Sequence, residues 1–266
     1  MRGLLDKKLP RLSISAINMY FRCPLQYEFR YIKGIKIPPV GVMVQGRVYH
    51  QTHAGNFSQK VTSMRDLSLS DMADMYATKW ENEVEKNSEY SIDEIMWEGE
   101  QPYKMKDEGF SLVKEYHLLI SPEIVPLEVE QEKEMRISDE LRLHGILDLI
   151  AKIDSKGISS RIIDHKLSKR SENQNDVDRD LQASMYLLLN PSSSILEFHR
   201  MVKKKRPEVQ ILKTSRTEEQ LARFVEMAKN VQLLINTGIF YPKCDSFWCS
   251  KNYCGYWDIC KEKLNI

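Results

Sequence analysis

The cysteines of this chain are split between its two ends. Cys23 stands near the start, while Cys249, Cys254 and Cys260 follow one another near the end, with gaps of four and then five residues. A metal centre drawing thiolates from both places would tie the first helices to the last segment and force the ends of the chain together. No export signal opens the sequence, because Met1-Arg2-Gly3-Leu4-Leu5-Asp6 is interrupted by charge almost at once, and no apolar run is long enough to span a bilayer. The expected compartment is the cytoplasm, where five cysteines argue against a disulfide framework and clustered thiols are more often metal ligands. Cys244, five positions before Cys249, is a rival for the fourth place.

A chain of 266 residues, 42% hydrophobic and 29% charged, can bury one sizeable core or two small ones. The formal charge of +1 neither supports nor excludes a nucleic-acid partner, since the distribution of charge matters more than its sum.

The first half reads as helices. Ser13-Ile14-Ser15 offers a cap for a first one running through Tyr20 and Phe21, and Pro24 opens a second over residues 25–32, with Cys23 at the joint. Residues 42–57 form another, with Gly46 and His50 one turn apart on one face. Met72, Met75, Tyr76, Trp80 and Val84 mark the next, and residues 104–119 supply one more.

The second half changes period. Strands are expected at residues 127–132, 141–153, 158–167, 195–202 and 209–213, with the turn Asp154-Ser155-Lys156-Gly157 making a hairpin of the second and third. A helix covers residues 178–189, and another covers 217–236 with Thr217 as cap, Gln220 completing a capping box and Gly238 as stop. No internal repeat interrupts this order. The expectation is a single α/β domain with a helical insertion at residues 57–120 that arches over a cleft.

Two strands carry charge in apolar surroundings. In Ile163-Asp164-His165-Lys166, strand alternation puts Asp164 and Lys166 on one face and His165 on the other. Hairpin pairing brings Asp148, of Gly145-Ile146-Leu147-Asp148, beside Asp164. Two adjacent carboxylates raise each other's proton affinity unless a cation sits between them, and oxygen ligands of this kind suit Mg²⁺ or Mn²⁺. His50 would add a nitrogen ligand, and Lys166 would hold a water or neutralise charge on a phosphate. Taken singly, each motif reads equally well as a surface acid, an ordinary tripeptide or a satisfied helix histidine.

The order of the motifs is more telling. Gly46-Arg47-Val48-Tyr49-His50, then Gly145 to Asp148, then Ile163 to Lys166, then Gln182-Ala183-Ser184-Met185-Tyr186, resembles the PD-(D/E)XK nuclease superfamily. The branch it is most similar to is the RecB-like one, with CRISPR-associated adaptation nucleases and phage recombination exonucleases. The resemblance implies a restriction-endonuclease-like core, a mixed central sheet flanked by helices. It implies that His50, Asp148, Asp164 and the backbone carbonyl of His165 hold the metal, that Asp148, Asp164 and Lys166 are catalytic, and that Gln182 and Tyr186 contact DNA beside the site. Relatives with one early cysteine before a proline and three late ones carry a [4Fe–4S] cluster, which implies Cys23, Cys249, Cys254 and Cys260 as its ligands. Four thiolates suit zinc as well, but a ligand from the far end of the chain is unlike a zinc ribbon. Asp164 stands where many relatives have glutamate, and the first C-terminal gap is looser than in some.

The function implied is a DNA exonuclease acting on single strands or ends in recombination, repair or replication, with a helicase, recombinase or CRISPR integrase as partner. The alternatives are a structure-specific endonuclease and a non-catalytic DNA-binding subunit. For phosphate contact the basic run Arg200, Lys203, Lys204, Lys205 and Arg206 is one candidate, and Arg161, Lys169 and Arg170 beside the catalytic strand are better placed.

Overall fold

The structure, a computed structural model, describes residues 11–86, 90–153 and 159–264. The expected turn at Asp154-Ser155-Lys156-Gly157 and Ile158 after it lie outside the described residues, as does the opening Met1 to Asp6. Two compact units emerge: residues 1–37, 134–145 and 217–266 form one, and residues 38–133 and 146–216 the other.

In the first unit a short strand, β1 (Arg11–Leu12), runs parallel to Arg142 and Leu143. Ser13 then caps α1 (Ile14–Arg22), its side chain accepting from the Ala16 N–H, and Ile14, Ile17 and Tyr20 form the buried stripe. Cys23 is extended at φ −166° and ψ 110°, which breaks the helix and lets Pro24 start α2 (Pro24–Tyr27), continued as a π-helix over Glu28–Ile32. At the other end, α8 (Glu218–Asn236) opens on the Thr217/Gln220 capping box and stops at Gly238, whose φ of +71° is easy only for glycine.

The two ends of the chain are joined by bonds spanning more than two hundred residues. The Leu25 N–H donates to the Tyr241 carbonyl at 3.1 Å, the Tyr20 hydroxyl to the Ile239 carbonyl at 2.8 Å, and the Tyr256 hydroxyl to the Ile35 carbonyl at 2.9 Å. Leu25, Phe29 and Tyr256 bury a small apolar cluster around Cys254. The last helix is α9 (Trp257–Leu264).

The second unit is built on a mixed sheet. Its strands are β2 (Pro126–Arg136), β3 (Arg142–Lys152), β4 (Ser160–Ser168), β5 (Ser193–Val202) and β6 (Glu208–Thr214), and the ends of β2 and β3 nearest residue 140 belong to the first unit. β3 and β4 are antiparallel, β4 and β5 parallel, β5 and β6 antiparallel, and β2 also pairs with β3. A parallel pair needs a crossover, supplied by α6 (Gln174–Arg179) and α7 (Leu181–Leu189). One continuous helix over residues 178–189 was the expectation. The break falls at Asp180, whose ψ of 123° is extended and whose carboxylate accepts the Gln182 N–H at 2.7 Å. A short acidic side chain gains more by capping than by sitting inside a helix.

Residues 57–120 are part of this unit's core. α3 (Gly41–Ser63), α4 (Leu69–Glu81) and α5 (Pro102–Leu119) bury Tyr49, Phe57, Tyr76, Leu112 and Tyr116 together with Leu149, Ile163 and Met201 of the sheet. Among the described residues no helix is long and apolar enough to cross a membrane.

Candidate active site

Register places the two acids. Leu149 pairs with Ile163 and Ile150 with Ile162, so Asp148 and Asp164 stand one residue beyond the last pair of the β3–β4 ladder, near enough for the Asp148 charge to act on Asp164. Asp164 is 1% exposed. Its Oδ1 accepts from Gln182 Nε2 at 2.7 Å, and its Oδ2 lies 2.9 Å from Lys166 Nζ yet receives no well-formed hydrogen bond. Lys166 Nζ donates in turn to Gln182 Oε1 at 2.9 Å. Gln182 therefore bridges the acid and the lysine with both ends of its amide, and the break at Asp180 starts the helix that aims it.

Asp148 has other partners. His50, carried by α3, puts Nδ1 3.0 Å from Asp148 Oδ2, and the His165 backbone N–H donates to the same oxygen at 2.9 Å. A Cβ added at Gly46, one turn before His50, would meet nothing within 4 Å, so this face of the helix stays open.

The charges are strongly interdependent. Burial opposes ionisation of Asp148, but His50 and His165 outweigh it and hold the carboxyl well below its usual range. Asp164 moves the opposite way, pushed up by burial against the pull of Lys166, with the Asp148 charge adding to the rise. Burial also works against the His50 and Lys166 charges, yet the neighbouring carboxylates keep both pKa values raised. Tyr186, a turn beyond Gln182, is driven up by burial and by Asp164, so its hydroxyl stays neutral.

Sequence reasoning missed Glu130. It stands on β2 with φ of +50°, a strained value for a residue with a side chain, and burial together with Asp148 raises its pKa to about 7. Strand alternation alone cannot single out one glutamate from Glu128, Glu130, Glu132 and Glu134.

One imidazole and clustered carboxyls form a hard donor set of the kind divalent cations take, and a buried carboxylate oxygen without a hydrogen bond fits such a group. Among the described residues no three His, Cys, Asp or Glu side chains converge as ligands, because each acid is engaged by His50, Lys166, Gln182 or the His165 backbone.

His165 faces the other way, as strand alternation requires, into a buried polar chain that no motif announced. Its Nε2 meets the Tyr116 hydroxyl at 3.0 Å, that hydroxyl meets His199 Nδ1 at 2.7 Å, and His199 Nε2 meets Glu197 Oε2 at 3.0 Å. Glu197 is completed by Lys213 at 2.8 Å and Arg161 at 3.3 Å. Although burial opposes its charge, bonds from His199 and Lys213 lower the Glu197 pKa to about 2, while burial takes His199 down to about 4. An ionised Glu197 only accepts, so His199 donates from Nε2 and accepts at Nδ1. The Tyr116 hydroxyl must then donate to His199 and accept from His165 Nε2–H. The direction of the chain is thus set from the far side of the sheet.

Tyr116→Phe is expected to leave one buried nitrogen on each of His165 and His199 unsatisfied and to cost about 1–3 kcal/mol. A urea midpoint equal to that of the wild type would contradict the chain.

The basic run predicted to track phosphates is largely spent inside the protein. Arg200 pairs with Glu172, Lys203 with Gln45 and Glu108, and Lys204 with Glu208, while Lys205 and Arg206 remain exposed. Arg161 shares the His165 face and turns inward to Glu197, so of that trio only Lys169 and Arg170 are exposed.

The thiols lie in the first unit. Cys23, Cys249, Cys254 and Cys260 line one small cavity of about 20 Å³, partly open to solvent, together with Gln26, Trp248, Tyr256 and Trp257. Cys244 is exposed and outside that lining. Gln26 Nε2 reaches Cys254 Sγ at 3.1 Å. Burial, then Cys244 ahead of Cys23 and Cys254, raise Cys249 to about 11, and burial with Cys23 and Cys254 pushes Cys260 up as well. Four crowded thiols, two of them held protonated by their surroundings, are a donor set that a positive metal centre would stabilise. No three of them converge on one point as ligands of a single ion among the described residues.

Comparison with known proteins agrees with this architecture. A family model described as the PD-(D/E)XK nuclease superfamily matches residues 11–261. No curated protein matches the chain. A solved structure named "putative exonuclease", from Eubacterium rectale, is similar at a TM-score of 0.50 and 10% identity, covering 91% of this chain and 86% of that one. The crystal structure of SSO0001 is similar at a TM-score of 0.42 and 16% identity, over 98% of this chain and 90% of that one.

Proposed function

The chain belongs to the PD-(D/E)XK nuclease superfamily, and from that premise we propose that it is a divalent-metal-dependent DNA exonuclease acting on single strands or DNA ends in recombination, repair or replication. The observation that carries the reading is the approach of Asp148 and Asp164 just beyond the last β3–β4 pair, with His50 on the first acid, Lys166 on the second and Gln182 bridging acid to lysine. A nuclease needs this combination of buried negative charge and a positioned cation, whereas a module that only binds DNA does not.

His50, Asp148, Asp164 and the backbone carbonyl of His165 would hold Mg²⁺ or Mn²⁺, which supplies Lewis-acid stabilisation of charge on the phosphoryl oxygens. Lys166 keeps its proton at neutral pH and presents an ammonium to an anionic phosphate or an attacking water. Gln182 holds that ammonium in register with Asp164, so little reorganisation is needed when the phosphodiester arrives. Tyr186, kept neutral, is a hydrogen-bond donor for the DNA backbone beside the site.

The exonuclease reading extends the family assignment, and the name of the Eubacterium rectale neighbour agrees with it. In the first unit the four cavity-lining thiols would carry a [4Fe–4S] cluster whose part is to fasten the C-terminal segment to the N-terminal helices.

End-labelled linear DNA and circular single-stranded DNA, each with Mg²⁺ or Mn²⁺, test the function. Linear substrate is expected to shorten from an end while circles stay intact. Cutting of circles would make the protein an endonuclease, and binding without cleavage would make it a non-catalytic subunit.

A further inference from the structure

The aromatic residues around the late cysteines do not all pack inward. Tyr256 is 3% exposed, but Phe247, Trp248 and Tyr253 are 68%, 39% and 62% exposed. The three exposed rings touch one another. Phe247 and Trp248 have centroids 4.5 Å apart, and Tyr253 stands edge-on to both at 5.8 Å. The Arg22 guanidinium lies over the Trp248 ring at 5.2 Å, and Lys243 lines the cavity that Trp248 also borders.

The stretches that supply the rings and Arg22 lean basic in sequence. Residues 11–37 carry Arg11, Arg22, Arg30, Lys33 and Lys36 against Glu28, with Arg11 paired to Glu134 and Glu28 occupied by Lys33 and Lys263. Residues 241–256 carry Lys243 and Lys251 against Asp245.

A contiguous exposed apolar cluster usually marks a contact surface. A second copy of this chain is a poor occupant, because a two-fold contact would set the same cations against each other. A polyanion with flat apolar faces is complementary on both counts. Every base has a π-face, so aromatic platforms hold unpaired strands without regard to sequence, and a guanidinium over a ring can reach a phosphate from its edge. A duplex keeps its base faces inside the stack.

We propose that Phe247, Trp248 and Tyr253 form a stacking platform for an unpaired DNA strand, with Arg22 and Lys243 engaging its phosphates. The proposal rests on the nuclease reading above and specifies the form of its substrate.

The test is equilibrium titration of the full chain with an oligothymidylate of roughly 12 nucleotides, in EDTA so that no cleavage intervenes, with tryptophan fluorescence as readout. Quenching is expected for the wild type. Phe247→Ala and Tyr253→Ala are each expected to weaken binding about tenfold, and Phe247→Tyr and Tyr253→Phe to restore it. Because the substituted rings are exposed and the conservative variants keep a ring, loss of fold is separable from loss of stacking.

Unchanged affinity in the alanine variants overturns the proposal, as does equal loss of affinity for a matched duplex. A shift from dimer to monomer with oligonucleotide affinity intact would assign the surface to self-association and also overturn it. Failure of the nuclease reading is seen separately, as absence of cleavage when Mg²⁺ or Mn²⁺ is restored.

Discussion

Asp164→Asn and Lys166→Ala are each expected to lower kcat on the order of 10²–10³-fold or more while leaving single-stranded DNA bound. The expectation follows from how the two groups are held. Asp164 is buried against apolar strand neighbours, and its partners are the Lys166 ammonium and the Gln182 amide. Replacing the carboxylate by an amide keeps the shape but removes the charge that both a divalent cation and Lys166 need. Removing the lysine leaves the raised Asp164 proton affinity unopposed, because burial and Asp148 already push it upward. DNA binding should survive, since phosphate contacts elsewhere on the chain are untouched.

Gln182→Ala is a graded companion to these variants. It keeps every charge but frees the lysine, so a smaller fall confined to kcat identifies Gln182 as a positioning residue. Normal cleavage by Asp164→Asn, with an unchanged thermal midpoint to show that the protein is folded, would remove the basis of the enzymatic reading.

Loss of the thiol centre is expected to be the largest effect on stability. The proposed [4Fe–4S] cluster would give anaerobically purified protein a broad visible absorbance, which Cys254→Ser or Cys23→Ser is expected to abolish while unfolding the first unit. A closed four-thiolate zinc site is worth on the order of 10 kcal/mol of folding free energy, comparable to the whole stability of a small domain. The apolar cluster around Cys254 is small, and the ends of the chain are otherwise joined through a few hydrogen bonds, the Lys263–Glu28 ion pair and the packing of Phe240 on Tyr20 and Tyr27. Cys244→Ser should leave the absorbance in place, because Cys244, although it lies beside Cys249, is exposed and outside the cavity lining. Colourless protein containing one zinc would replace the cluster by a single ion. Wild-type stability of Cys254→Ser would show that the thiols are structural cysteines and nothing more.

The arrangement of the acids was legible in advance because it depends on local geometry. Side chains alternate along any strand, so Asp164 and Lys166 share a face and His165 leaves it, whatever the rest of the chain does. Antiparallel pairing of β3 and β4 followed from two apolar strands close together in sequence, and it leaves Asp148 and Asp164 one residue beyond the last pair. Ser13, Thr217 and Gly238 mark helix ends through bonds made within a few residues.

What only the tertiary structure decided lies across long stretches of chain. Tyr116 meets His165 and His199 over separations of 49 and 83 residues, and no local pattern encodes which hydroxyl reaches which imidazole. Glu130 stands out from its neighbouring glutamates through the fold that brings it near Asp148. Arg161, Arg200 and Lys203 look like phosphate ligands until Glu197, Glu172 and Glu108 claim them. The physical reason is one of range. Alternation and capping are steric and hydrogen-bonding rules acting over a few residues, whereas burial and charge pairing depend on every element that packs nearby.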